Sequence, residues 1–334
     1  MNYVSLGKTG VKVSEMCLGT MMFGQRVNED ESIKIMHRAY DEGVNFFDTA
    51  AMYGGELGNT EEIVGKAIKN FRDKIFLASK VNKGIDAKSI IESIDESLKR
   101  LNTDYLDLYY IHWPRKGMKI DEVMEALDKV VKAGKTRFVG CSNYPAWVLE
   151  ASNCYSRLNG LAEMVVHQVP YNLLERGVEV EVLPMAKVEN IAVVVYRPIA
   201  MGLLAGKYIP GEPIPEDSRA KTDDRIARWL SDYGDGILKL RDFANERGVS
   251  ILDVAIAWIR SSPAVTCPII GVSSISQLEK GIKAFEFSLT PEERQQVSSF
   301  FDTEVKEISG GNYGPLRRDL DLVDRTTRPE TNEQ

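Results

Sequence analysis

Eight times along this chain a short apolar run alternates with a stretch whose apolar residues recur at helical spacing, and nothing else in the sequence restricts the fold as tightly. Apolar runs of strand length, bounded by turn residues, read as strands buried on both faces, the setting of a parallel sheet covered by helices. The strands expected are Met16–Leu18, Val44–Asp48, Ile75–Lys80, Tyr105–His112, Thr136–Cys141, Met164–Gln168, Ile191–Tyr196 and Val265–Ile270. The helices are expected over Glu29–Glu42, Thr60–Lys69, Ala87–Leu101, Asp121–Ala133, from Ala146 onward, Val178–Val188 and Ser276–Phe285. In the third of these, Ile90, Ile91, Ile94, Leu98 and Leu101 share one face. Further helices are expected at Gly236–Gly248 and Ile251–Ser261, and a capped one from Thr290 to about Phe301. Tyr3–Ser5 and Val11–Ser14, joined across Gly7 to Gly10, suggest a hairpin ahead of the repeating part.

Right-handed crossovers place every helix outside when eight strands close on themselves. The expected fold class is therefore α/β: a (β/α)8 TIM barrel with an N-terminal β-hairpin, extra C-terminal helices and a long loop after the seventh strand. An open doubly wound sheet fits less well, because no Gly-x-Gly-x-x-Gly stands between the first strand and its helix. With no internal repeat and no linker, residues 1–334 read as one domain. Two segments break the rhythm. Residues 202–233 are rich in glycine, proline and charge, and a loop of that length in a compact domain is functional or disordered. Residues 303–334 read as an irregular tail.

Composition narrows the function classes. A net charge of -7 argues against nucleic acid or an anionic membrane as the main partner. No apolar stretch approaches the roughly 18–20 residues of a spanning helix. The segment Met1–Lys8 lacks the basic-then-apolar layout of a signal peptide, so a cytoplasmic location is expected. Cys17, Cys141, Cys154 and Cys267 are widely spread without metal-ligand spacing; they read as reduced packing residues, and no metal is expected.

In a barrel of this kind the active site lies at the C-terminal ends of the strands. The second strand ends in Asp48, with Tyr53 a few residues on; the third ends in Lys80 and the fourth in His112. Hydride transfer to a carbonyl wants this set. As hydride arrives at carbon, the oxygen becomes an alkoxide that needs a proton. A free tyrosine, with a pKa of about 10, is a poor acid–base group near neutrality. A nearby lysine favours the tyrosinate and lowers that pKa, Asp48 holds the ammonium, and His112 donates a hydrogen bond that orients the carbonyl. Taken singly, each has a plain reading: a solvated lysine, a packing tyrosine, a structural histidine. Their coincidence at neighbouring strand ends favours the functional one. His37, within a helix, and His167, inside a strand, take the structural reading. Lys80 as a Schiff-base nucleophile is a competing use of the same strand end, opposed by a partnering Asp48 that keeps it charged.

The stretch Gly43–Gly54 resembles the signature of the aldo-keto reductases around their catalytic Asp and Tyr. So do Leu18–Gly24, Ile111–Pro114, Gly140–Asn143, Gln168–Arg176 and Tyr196–Lys207, in order over roughly residues 1–300. The resemblance implies that Tyr53 is the proton donor, that Lys80 and Asp48 tune it, and that His112 positions the substrate. It implies hydrogen bonds from Ser142, Asn143 and Gln168 to a nicotinamide carboxamide, with Tyr196 stacked on the ring. Further cofactor contacts are expected from Gly19, Thr20, Met21 and Asp48, from Arg197, Pro198, Gly202, Gly206 and Lys207, and from Gly271, Ser273 and Gln277 after the eighth strand. Many relatives carry Lys or Arg there to grip the 2′-phosphate of NADP. This chain has Ser273, Ser274 and Gln277, and Lys280-Gly281 replaces a common Glu-Asn pair. Lys207, Arg219, Lys221, Arg225 and Arg228 on the loop 202–233 have two readings: charge supplied by a loop that folds over the cofactor, or a solvated basic loop. NADP(H) is expected ahead of NAD(H).

The pocket is expected to be lined by Met22, Phe23, Trp113 and Tyr144, apolar enough for an aldehyde, a ketone or a sugar. The expected activity is NAD(P)H-dependent reduction of such a small-molecule carbonyl to its alcohol. The alternative is a non-catalytic, nicotinamide-binding regulatory subunit of the same fold. The sequence carries no reading of the oligomeric state.

Overall fold

The computed structural model describes residues 1–302 apart from 217, 222 and the side chain of Arg219, so the tail expected over 303–334 lies outside the described residues. The chain opens with an antiparallel hairpin, β1 (Tyr3–Ser5) and β2 (Lys12–Ser14). Eight parallel strands follow: β3 (Cys17–Gly19), β4 (Phe46–Asp48), β5 (Phe76–Lys80), β6 (Leu106–Ile111), β7 (Thr136–Ser142), β8 (Met164–Pro170), β9 (Ala192–Tyr196) and β10 (Cys267–Gly271). They close in the order β10-β3-β4-β5-β6-β7-β8-β9, the expected (β/α)8 TIM barrel.

The crossover helices are α1 (Glu29–Asp41), α2 (Asn59–Ile68), α3 (Ala87–Leu101), α4 (Ile120–Lys132), α5 (Ala146–Asn159) and α6 (Val182–Glu189). Then come α7 (Asp224–Glu246), α8 (Ile251–Arg260), α9 (Ile275–Lys283) and α10 (Pro291–Ser299). Helix α3 shows how local sequence sets an element. Asp86 caps its start by accepting from Ser89 N, Asn102 ends it in the left-handed conformation, and Ile90, Ile94 and Leu101 between them are fully buried. Each such side chain contributes about 1.5–3 kcal/mol by leaving water.

Two apolar layers result. Cys17, Phe46, Phe76, Ala78, Leu108, Tyr110, Val166, Val194 and Cys267 fill the barrel interior, and Leu6 and Val13 of the hairpin join that cluster. The outward residues of the same strands, such as Leu18, Phe47, Leu77 and Tyr109, pack under the helices.

The segment 202–233 differs from the expected loop. It begins within a short 3-10 turn, Ala200–Ala205, and its last ten residues belong to α7, which starts twelve residues before the Gly236 expected for it. Asp223 caps α7 through Arg225 N. Gly234 and Gly236 hide the helix in the sequence, since each glycine there costs about 1 kcal/mol relative to alanine. Packing accounts for Gly236: a Cβ there meets Phe300 O at 2.5 Å and the Phe301 ring at 2.9 Å.

Candidate active site

The two-residue period of a strand decides which side chains enter the barrel. Phe46 lies in the interior cluster and Phe47 in the outer one, so Asp48 turns inward again. The same parity carries Phe76 and Ala78 to Lys80, Leu108 and Tyr110 to His112, and Val166 to Gln168. All four inward positions fall at the C-terminal ends of their strands, and the mouth receives a carboxylate, an ammonium, an imidazole and an amide together.

Lys80 is fully buried and Asp48 almost so. The ammonium uses its three donors on Asp48 Oδ1 at 2.5 Å, Thr49 O at 2.9 Å and Tyr53 Oη at 3.2 Å. Burial alone pulls Lys80 down, but Asp48 and then Tyr53 outweigh it, and the net direction is up: Lys80 remains an ammonium. Tyr53 goes the other way from the sequence-based expectation. Burial raises its pKa, Lys80 lowers it, and Asp48 raises it again; the net result lies above the ordinary tyrosine value. The main reason is burial. The Asp48 carboxylate, 2.5 Å from the ammonium, offsets part of the pull of Lys80, and the phenol keeps its proton.

His112 ends the opposite lip, its ring centroid 6.1 Å from that of Tyr53 in an edge-on arrangement. Burial, reinforced by Lys80, depresses it to about 3, so it is a neutral imidazole, and its Nδ1 is buried without a hydrogen-bond partner. Its backbone oxygen accepts from Asn143 Nδ2, which also reaches Ser142 Oγ. Tyr196 donates to Asn143 Oδ1 at 2.7 Å, Ser142 Oγ donates to Gln168 O, and Gln168 Nε2 donates to Asp48 Oδ2 at 2.8 Å. The residues named from the ends of β7, β8 and β9 are thus one connected network. His37 lies apart from it, its Nε2 against Ala67 O, and His167 is buried in β8.

Backbone strain concentrates at the same end. Of the six non-glycine residues with positive φ among the described residues, Asn102 and Asn190 cap helices; Asn143, Arg197, Ala200 and Met201 lie just beyond β7 and β9. Strain of about 1–3 kcal/mol per residue is characteristic of functional loops. Arg197 is held by Glu175 at 3.0 Å, Pro198 and Gly202 are buried, and Gly206 and Lys207 are exposed beyond them.

Two glycines face each other across the β3/β10 seam, Gly19 and Gly271. A Cβ on Gly271 meets nothing nearer than Gly19 O at 4.0 Å, so bare backbone with room above it leads to the start of α9. Thr20 beside it is buried and donates its N and Oγ1 to Asp48 O. Ser274 caps α9, and Gln277 Oε1 accepts from both Ser273 N and Ser273 Oγ. A site with backbone N–H groups at a helix start and open backbone at Gly271 fits an anionic diphosphate, and the amides and hydroxyls at the mouth fit a carboxamide; Gly19 is closed off, since a Cβ there meets Ile269 Cγ2 at 2.6 Å. Of the loop cations, Lys221 pairs with Glu216 and Arg228 is exposed on α7. Arg225, in the first turn of α7, grips Asp223 through both Nε and Nη2.

The expected pocket residues separate. Trp113 is 38% exposed beside His112, and Met21, expected at the cofactor, is 47% exposed. Phe23 and Tyr144 are fully buried, Tyr144 with its hydroxyl on Met118 Sδ, and Met22 is 8% exposed. The apolar side chains open at this rim also include Met52 and Leu57, both on the loop after β4. Their position four and nine residues past the end of β4 was the signal for them. Asn82, two residues past Lys80, has both side-chain amide atoms buried without a partner and was also passed over.

Among the described residues there is no cluster of metal-ligating side chains and no helix long and apolar enough to cross a membrane. The family model described as the aldo/keto reductase family matches residues 15–302. An uncharacterized oxidoreductase, YrpG, of Bacillus subtilis is 36% identical over 319 residues, 90% of this chain and 96% of the relative. The aldo-keto reductase YhdN of the same organism is 31% identical over 96% of this chain and its own full length. A probable voltage-gated potassium channel subunit beta of Arabidopsis thaliana is 35% identical over 86% of this chain and 92% of its own. With a family model across nearly the whole barrel and relatives of this identity over nearly their full lengths, the chain belongs to the aldo/keto reductase family.

Proposed function

We propose that the protein reduces an aldehyde or ketone to the alcohol with NADP(H), ahead of NAD(H), and that Tyr53 is the general acid. The observation that carries the reading is the ammonium of Lys80, fully buried and shared between Asp48, Thr49 and Tyr53. A bound nicotinamide supplies hydride to the carbonyl carbon. Tyr53, still a phenol at neutral pH, gives its proton to the carbonyl oxygen as charge develops there. Lys80, already donating toward the phenolic oxygen, stabilises the phenolate left behind, and Asp48 and Thr49 O keep the ammonium from swinging away. His112, a neutral imidazole, orients the carbonyl without adding charge.

Ser142, Asn143 and Gln168 would hold the carboxamide, Tyr196 would take the ring face, and the Gly19/Gly271 seam with Ser273 would take the diphosphate end. The segment 202–233, ending in the first turns of α7, would lie over the cofactor, with Arg197, Lys207 and Arg225 supplying charge. The open rim residues Met21, Met52, Leu57 and Trp113 suit the apolar part of a carbonyl substrate.

Two other uses of the site are weaker. An amine nucleophile needs a neutral lysine, and Lys80 is driven the opposite way. A regulatory, non-catalytic subunit is suggested by the channel-subunit relative, but it has no use for an acid–base group assembled to this degree. The test is consumption of NADPH with a panel of reactive aldehydes. Wild type is expected to turn over, and Tyr53→Phe to lose about 10²- to 10⁴-fold in kcat with cofactor affinity retained. No turnover by wild type, or full activity in Tyr53→Phe, refutes the reading.

A further inference from the structure

We propose that Gln168 is a positioning residue for the acid–base group, holding the Asp48 carboxylate from the opposite wall of the barrel. In the closed order, β4 and β8 stand four strands apart among eight, across the full diameter. Gln168 Nε2 nevertheless reaches Asp48 Oδ2 at 2.8 Å, between side chains 120 residues apart in sequence and 3% and 2% exposed. An ionised carboxylate only accepts, so the amide must present its NH2. The other oxygen, Oδ1, takes Lys80 at 2.5 Å. The carboxylate is therefore gripped from both sides, by a cation on one wall and a neutral amide on the other.

The neutral donor has a specific use. Asp48 on Lys80 alone is free to turn about its Cβ–Cγ bond, and Lys80 with it, which lengthens the 3.2 Å contact to Tyr53. A second cation in place of the amide fixes the carboxylate but adds a charge that favours the ionised form of Tyr53. An amide fixes it and leaves the charge balance untouched. The root of Gln168 is itself pinned, since its backbone oxygen accepts from Ser142 Oγ at 2.9 Å and Asn143 N at 3.0 Å. The titratable groups facing Asp48 are Lys80 from β5, Tyr53 from the loop after β4, Cys17 from β3, Tyr110 from β6 and Cys267 from β10.

The inference rests on the acid–base role proposed above, and one arm of its test needs no turnover. Gln168→Met removes the donor at similar length; Gln168→Glu restores one only when its carboxyl is protonated. At saturating cofactor and aldehyde, kcat in Gln168→Met is expected to fall about tenfold or more, the loss of a hydrogen bond to a charged group. A crystal structure of Gln168→Met is expected to show the Asp48 carboxylate turned about its Cβ–Cγ bond and the Lys80–Tyr53 contact longer than the 3.2 Å of wild type. In Gln168→Glu, kcat is expected to be low above neutrality and to climb as pH falls and the introduced carboxyl gains a proton to donate. If Gln168→Met weakens nicotinamide binding but leaves kcat and the Asp48, Lys80 and Tyr53 geometry as in wild type, Gln168 is a cofactor contact alone and the inference is overturned. A flat pH response in Gln168→Glu overturns it as well, even where Gln168→Met does not fold. If wild type reduces no carbonyl yet the carboxylate turns in Gln168→Met as stated, the link stands and the reductase reading falls.

Discussion

Breaking the Lys80–Asp48 pair from either side should destabilise the barrel strongly, and breaking it from both sides should cost much less than the sum. The side chains are 0% and 3% exposed, with Nζ and Oδ1 2.5 Å apart. Removing one partner of such a pair leaves a buried charge uncompensated, at a cost of about 3–5 kcal/mol. Lys80→Met belongs at the upper end, because it also strips Thr49 O and Tyr53 Oη of their donor. Asp48→Asn belongs at the lower end, because the amide oxygen still accepts from the ammonium. The singles therefore sum to about 6–10 kcal/mol. The double variant leaves neither charge and should lose about half of that, a coupling on the order of 3 kcal/mol. Urea unfolding followed by tryptophan fluorescence reads all four corners of the cycle. Additive losses within about 0.5 kcal/mol would show that the two charges do not stabilise one another, and the electrostatic account of the site would fail with them. The pH dependence supplies a second check. Lys80 titrates above its unfolded value of about 10.5, so its contribution is fully present below that pH and disappears as pH rises through the folded value. Lys80→Met should lack that alkaline loss.

Other consequences are open to simpler measurement. Burial holds His167 at about 3 against about 6.5 unfolded, so stability present above pH 6.5 is lost as pH falls. At pH 5 that loss is about 2 kcal/mol, and His167→Gln should reduce the acid sensitivity of the urea midpoint. Gly236→Ala, a favourable change in most helices, should lower stability by about 1–3 kcal/mol in urea unfolding, because its Cβ meets Phe300 O at 2.5 Å. Trp113→Ala should raise KM for bulky aromatic aldehydes, while kcat/KM for a small aliphatic aldehyde changes less than threefold, about 0.6 kcal/mol. Ser273→Arg should tighten NADPH more than NADH, measured by fluorescence titration of each, if Ser273 stands where the 2′-phosphate lies.

The barrel was legible because its signal is repeated. Every strand from Met16 onward is a short apolar run, and every crossover carries a helical stripe, so a local error leaves the count intact. The reach of α7 was not legible, because Gly234 and Gly236 interrupt the pattern for reasons that lie far along the chain: Pro210 packs beside Gly234, and Phe300 and Phe301, more than sixty residues away, crowd Gly236. Asp48, Lys80 and His112 were legible as ionisable groups closing apolar runs. The fates of Phe23 and Tyr144 were not: a side chain near a strand end turns into the mouth or under the helices, and the choice for Tyr144 is made by Met118 on the preceding crossover. The bond between Gln168 and Asp48 has no local trace either, since only closure of the sheet brings β8 opposite β4.

The direction of Tyr53 is where sequence-level reasoning about charge fell furthest short, and it says most about the chemistry. Counted by residue type, a lysine beside a tyrosine lowers the phenol. Counted by geometry, the lysine's charge is offset in part by Asp48, so burial prevails and the proton stays. On the proposed reading this is what a reductase needs. A phenol that ionised readily before substrate arrived would be a weak donor at neutral pH. One held protonated by burial, with an ammonium already directed at its oxygen, gives up the proton only when a developing alkoxide demands it. The ammonium then gains a second anion beside it, in a place where water cannot compete for either. On the proposed reading the buried pair favours the charge distribution after proton transfer over the one before it, and that difference, rather than a lowered pKa of the free site, is where its catalytic effect would lie.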